Sequence, residues 1–214
     1  MDGYRISADL CKGPDAEHIV RLLEYCGGAD AIAVDVPFGW PKPFAEALAG
    51  YRIGVPLDLP RQRYRLRTTD VWLKSKLPSL NPKSVSTDRL GSTAIVGTNL
   101  LHALNRNGFR LPLRKSGGCP AAIEVYPAAS LLAWNLQALE REEIVRRLQE
   151  QFTLEISETT RSTLLDNDHC FDAFVAALTA REYAGGNTFY PPEYIPDETI
   201  EIEGWIHVPS RSLQ

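Results

Sequence analysis

Two carboxylates stand where a carboxylate is costly. Asp35 lies at the carboxyl end of the apolar run in AIAVDVPFGWP, where a buried strand would meet a proline turn. Glu124 lies inside AAIEVYP, among small and branched apolar residues and shortly before Pro127. A charge in such a place costs several kcal/mol unless something compensates it. Glu is depleted in strands, so one flanked by Ile123 and Val125 needs a reason. Bland alternatives exist for both. Asp35 also suits a cap on the following turn, and Glu124 a strand with one wet face. A later stretch adds Asp168 and Asp172, four residues apart and therefore on one helical face, where like charges oppose helix formation slightly. Asp166, Asn167 and Asp168 are natural capping and first-turn residues. Asp172 lies a turn further in, beside the apolar stripe, and capping explains it less well.

Carboxylates converging from separate elements would repel one another, and a divalent cation would neutralise them. Mg2+ and Mn2+ take oxygen ligands, and paired ions can clamp the attacking and leaving oxygens of a phosphodiester. Other constellations are weaker. RLRTTD places Arg67 and Asp70 in a basic stretch, where they would either contact a substrate phosphate or form an ordinary surface ion pair. His18, His102, His169 and His207 show no ligand spacing and read as structural. There is no nucleophile elbow, and no Gly-rich phosphate loop follows a strand.

The elements that must position these residues follow from periodicity. Tyr4 to Leu10 reads as a strand and Asp15 to Tyr25 as a helix stopped by Gly27-Gly28. Ala31 to Val36 is a short continuous apolar run, as in a strand of a parallel sheet covered on both faces. This strand–helix–strand order predicts a parallel crossover. Pro37, Pro41 and Pro43 then turn the chain. Residues 50–88 read as an irregular basic insertion with a short helix near Thr69 to Lys76. A buried helix is expected over Leu90 to Leu104, ending at Asn107-Gly108, and a strand over Ala121 to Tyr126. Helices follow over Ala128 to Leu136, Arg141 to Gln151 and Asp168 to Ala184, and a closing strand over Thr199 to Val208 that contains a core Trp205.

The bulk numbers bound the function. A chain of 214 residues, 44% hydrophobic and 23% charged, is expected to form a single domain over residues 1–214 with a real core. A net charge of -4 argues against wholesale nucleic-acid binding and leaves room for a local basic patch. The four cysteines, Cys11, Cys26, Cys119 and Cys170, form no CxxC pair and read as buried thiols. There is no signal-peptide pattern and no run near the roughly 20 apolar residues of a membrane span, so a cytoplasmic protein without membrane contact is expected.

AIAVDVPFGWP, RTTD, EVYP, DHCFDAFVAALTAR and EGWI, in that order from about Ala31 to Ile206, resemble the domain of unknown function 429 family. The resemblance implies an α/β fold of ribonuclease H-like type, a mixed sheet flanked by helices with acidic residues near its centre. It implies a nuclease whose catalytic residues match Asp35, Glu124 and Asp172, with Asp168 joining them as metal ligands for Mg2+ or Mn2+. Arg67 and Asp70 match its "RxTD" segment and are expected to bind substrate. One departure stands out. A ribonuclease H-like site carries a first Asp on an opening strand followed by a hairpin, whereas a single strand precedes the helix here. Tyr4 to Leu10 is then either the third strand, with the first two absent, or the opening strand, with Asp9 as the missing carboxylate. The direct strand–helix–strand order favours the former, which would expose a sheet edge and invite homo-oligomers.

The expected function is a metal-dependent nuclease or phosphodiesterase, its basic insertion meeting a nucleic-acid backbone. Two rivals remain: a non-catalytic binding or regulatory protein with a degenerate site, and a nucleotide-binding, phosphotransferase-like protein.

Overall fold

The computed structural model describes residues 4–6, 22–54, 56–86, 90–111, 114 and 120–213. Asp9, His18, Cys11, Cys119 and most of the first expected helix lie outside them; residues 22–25 are helical, and Gly28 ends the turn with φ +82°.

Three short strands form the centre: β2 (Ala31–Val34), β3 (Ala121–Val125) and β5 (Ile206–His207), in the order β2-β3-β5. Both pairings are parallel, with Val34 opposite Glu124 and Glu124 opposite Ile206. β1 (Tyr4–Ile6) pairs in parallel with β4 (Leu154–Ile156) as a separate two-stranded ladder. The expected β1–β2 crossover is therefore not a pairing among the described residues. Nor is the mixed sheet seen there: every ladder is parallel, and the antiparallel contact described is one isolated bridge, Thr188 with Pro209.

Helices α1 (Lys42–Gly50), α2 (Arg61–Arg65) and α3 (Thr68–Lys76) fill the stretch after β2, and α4 is Leu90–Arg106. Pro127 opens α5 (Pro127–Ala133), where its missing N–H costs nothing. α6 (Arg141–Phe152), α7 (Glu158–Asp166) and α8 (Asp168–Ala184) follow. They enclose a core that includes Trp134, Ile144, Val145, Leu148, Phe171 and Val175.

The closing strand is a correction. Asp197–Glu203 forms helix α9, and strand geometry is confined to Ile206–His207. Pro196 sits at the N-cap, Asp197 and Glu198 occupy the first turn where the helix dipole favours acids, and Gly204 breaks the helix at φ +73°. Trp205 is buried, as expected, against Trp72, and its indole N–H donates to the Phe189 carbonyl.

The sheet is covered on both faces. Ala121, Ile123 and Val125, with Ala31 and Ala33, pack with Ala176 and Tyr183 of α8. Val34, Ala122 and Ile32 pack with Leu104 and Leu100 of α4. The result is an α/β sandwich whose two faces are read off by residue parity.

Candidate functional site

The site lies at the carboxyl ends of β2 and β3, where parallel α/β sheets present ligands. Parity decides what each carboxylate faces. Residues 31 and 33 of β2 face α8, so Asp35, next in that series, falls on the α8 side. Ala122 faces α4, so Glu124, two residues on, falls on the α4 side. The two acids expected to converge are thus turned to opposite faces of one sheet.

On the α8 side, Asp35 is exposed, and among the described residues it makes no hydrogen bond or ion pair. Although its surface reaches water, protein atoms crowd its carboxyl. That crowding, then repulsion from Asp172 and Glu124, pushes it up to about 6. Asp172, half-buried on α8, is raised by burial and by Asp168, against the pull of Arg141. Tyr126 stands near both faces: burial, then Asp35 and Asp70, raise its phenol.

On the α4 side, Glu124 is 3% exposed and completely engaged. Arg67 grips it in a fork, Nη2 to Oε1 at 2.7 Å and Nη1 to Oε2 at 2.9 Å, and the Phe38 N–H donates to Oε2 at 2.9 Å. Arg67 also donates from Nε and Nη2 to Asp70 and from Nη1 to the Glu203 carbonyl. Those five bonds account for all five guanidinium N–H groups. Burial alone would loosen the guanidinium proton; Glu124 and Asp70 more than reverse this, and Arg67 stays charged. Burial pushes the Glu124 carboxyl up, against the pull of Arg67 and the Phe38 N–H.

The RTTD segment is therefore neither a surface ion pair nor an open phosphate grip. Arg67 and Asp70 are both buried, and Asp70 reaches back to the Arg67 N–H at 3.0 Å as the N3 residue of α3, which Arg67 caps. Thr68 N–H donates to Glu203, and Thr69 Oγ1 accepts from Ile206 N–H at 3.1 Å. Each residue of the motif ties α3 to the sheet's carboxyl edge or to itself.

Glu203 is the functional-looking residue that sequence reasoning passed over. It is 3% exposed and accepts from the first-turn N–H groups of two helices, Lys42 of α1 and Thr68 of α3. Its signal was present in EGWI, an acid directly before a glycine and a core Trp. Gly204 must be glycine: a Cβ there would lie 2.7 Å from Phe38 Cβ and 3.0 Å from Glu124 Oε2. Gly39 is packed harder still, with an added Cβ 1.9 Å from the Ile202 carbonyl oxygen.

Asp35 thus feels the charge of Asp172 and, after it, of Glu124, whereas Glu124, Arg67 and Asp70 are hydrogen-bonded into one network. Asp168 stands apart: it is exposed and pairs with Arg141, which holds its carboxyl below the usual range. Among the described residues no three His, Cys, Asp or Glu side chains cluster as a ready metal cage. His207 is buried against the rings of Tyr183 and Tyr190, with Nδ1 3.2 Å from Thr188 Oγ1, and His102 and His169 are exposed. No helix among the described residues is long and apolar enough to cross a membrane.

A family model described as "Protein of unknown function (DUF429)" matches residues 7–198. No curated protein and no solved structure matches the chain.

Proposed function

We propose that this chain, which belongs to the DUF429 family of proteins of unknown function, is a metal-dependent phosphodiester hydrolase built on a ribonuclease H-like sheet. The observation that carries the reading is Asp35. It is an exposed carboxylate at the end of a parallel strand, without a hydrogen-bond partner among the described residues, and the crowding of protein atoms, then the charge of Asp172, raises its proton affinity. Two like charges held in such a place favour a divalent cation between them.

The residues expected to bind that cation fit unequally. Asp35 and Asp172 offer oxygens not engaged by the protein. Mg2+ is commonly held by one or two carboxylates, with waters and a substrate phosphate completing its shell. Glu124 fits poorly as a direct ligand, because Arg67 and Phe38 already occupy both of its oxygens. Asp168 is turned to Arg141 on the surface. When bound, the ion supplies a water of lowered pKa and neutralises charge on a phosphoryl oxygen. Glu124, Arg67 and Asp70 act at one remove, fixing the ends of β3 and α3 so that the Asp35 turn keeps its place. Tyr126, half-buried beside Asp35, would donate its phenolic proton to a substrate oxygen.

Mn2+ calorimetry on the wild type and on Asp35→Asn tests this. Binding in the wild type that disappears in the variant is the expected result. A wild type that binds no Mn2+ at millimolar metal refutes the catalytic reading. It would leave the second reading, a binding protein with a degenerate site, which the capture of Glu124 by Arg67 favours.

A further inference from the structure

Beside the buried arginine lies a groove of about 600 Å3, walled by Arg63, Thr68, Trp72 and Ser75 on one side and by Tyr194 and Ile195 on the other. That volume suits a small ligand or one unit of a polymer. Tyr194 is 78% exposed. Trp72 is held in place from behind by Trp205 at 5.2 Å and Phe189 at 5.3 Å between ring centroids. One ring is fixed, then, and the other projects from the mouth.

Charge identifies the class of ligand. Arg63 of α2 lines the groove and is exposed, Lys76 of α3 lies exposed over the Trp72 ring, and the one carboxylate of these helices, Asp70, is buried against Arg67. Acids of the opposite wall are partly neutralised within the protein: Asp197 pairs with Arg114, and Glu198 with Lys42. Glu193, beside Tyr194, and the buried Glu203, whose carboxylate is held by the Lys42 and Thr68 N–H groups, are left against those two cations. A chain of net charge -4 therefore presents a local positive rim around two aromatic rings. A planar ring flanked by phosphates matches both features.

We propose that this groove binds single-stranded nucleic acid, with one unstacked base between Trp72 and Tyr194 and the neighbouring phosphates on Arg63 and Lys76. The proposal rests on the phosphodiesterase reading and names its substrate class. Duplexes keep their bases stacked and cannot offer one to the rings without opening. The groove also adjoins the site. Its walls include Thr68 and Glu203, which flank and hold the Arg67 strut that ends on Glu124.

The test is fluorescence anisotropy of a labelled oligo(dA) of about ten nucleotides, in EDTA and across a salt series, with the wild type, Tyr194→Ala and Arg63→Ala. Tyr194→Ala should weaken binding about tenfold, the loss expected when one base loses its stacking partner. Arg63→Ala should flatten the salt dependence by roughly one phosphate contact, a slope change of about 0.7. Both side chains are exposed, and matched melting curves show that the variants remain folded. No binding by the wild type, variants that bind as tightly as the wild type, or a duplex of the same sequence that binds equally well would each overturn the proposal. Because EDTA removes divalent metal, failure here is distinct from failure of the Mn2+ calorimetry.

Discussion

Replacing Asp35 by Asn should stabilise the protein, and by an amount that depends on pH in a defined window. A carboxyl raised from its ordinary 3.8 to about 6 holds its proton more tightly folded than unfolded. Between those values the native state carries more protons, so stability from this group falls as pH rises and the loss is complete above about 6. For a fully insulated carboxyl the loss would be roughly 3 kcal/mol. Asp35 is exposed, and solvent screening reduces the expectation to about 1 kcal/mol. In a chain of this size that corresponds to roughly 2–4 °C in Tm. The assay is a pair of thermal melts, wild type and Asp35→Asn, at pH values from 4 to 8 with EDTA present. The variant should melt with the wild type near pH 4 and above it by that margin at pH 7. A difference of constant size across the series, or a variant less stable at pH 7, would refute the view that protein atoms and neighbouring acids crowd Asp35. Added Mn2+ should raise the wild type alone, since a ligand stabilises only the form that binds it.

Arg67→Met should cost about 3–5 kcal/mol by urea unfolding, because it strands Glu124 and Asp70 as buried, unpaired acids. The double variant Arg67→Met, Glu124→Leu should recover part of that loss; strict additivity in the double-mutant cycle would show that the two side chains do not interact. His207 titrates in the opposite sense to Asp35. Burial lowers it to about 3, so the unfolded chain takes up the proton first and stability from this group is lost as pH falls below about 6.5. His207→Phe should flatten the acid limb of the stability profile between those values; an unchanged limb would place the acid sensitivity elsewhere.

Much of the fold was legible because its signals were local. α8 occupies Asp168–Ala184, the span its apolar stripe and the Gly185-Gly186 stop predict. The proline-bounded strands β2 and β3 are also where expected and are parallel. α7 and β4 were not read, for a physical reason: α7 buries one residue, Leu164, and so has no stripe, and β4 is three residues long. The misread strand over Thr199 to Val208 came from the alternation in IEIEGWIHV. Ile200 is buried and Ile202 half-buried, and the helix-start signals of Pro196, Asp197 and Glu198 outweighed the period of two.

The site was legible in its residue types and illegible in its partition. AIAVDVP and AAIEVYP look like two copies of one device, an acid carried to a proline turn by an apolar strand. Strand register, which no single sequence prints, separates them. Had Asp35 stood opposite Glu124, both would share a face; Val34 takes that place, and the pleat sends the acids to opposite sides. Each face then resolves its charge differently. The α4 side is closed to water, so Glu124 had to be matched from within, and the chain supplies Arg67 with every donor committed. The α8 side stays open, so Asp35 keeps an unmatched charge at the cost of a raised proton affinity. A carboxylate neutralised permanently by its own protein has no capacity left for an outside cation, whereas one neutralised only by water retains it. On that argument Asp35, not Glu124, is the acid whose removal should abolish metal binding, and Glu124 is the acid whose removal should instead loosen the fold.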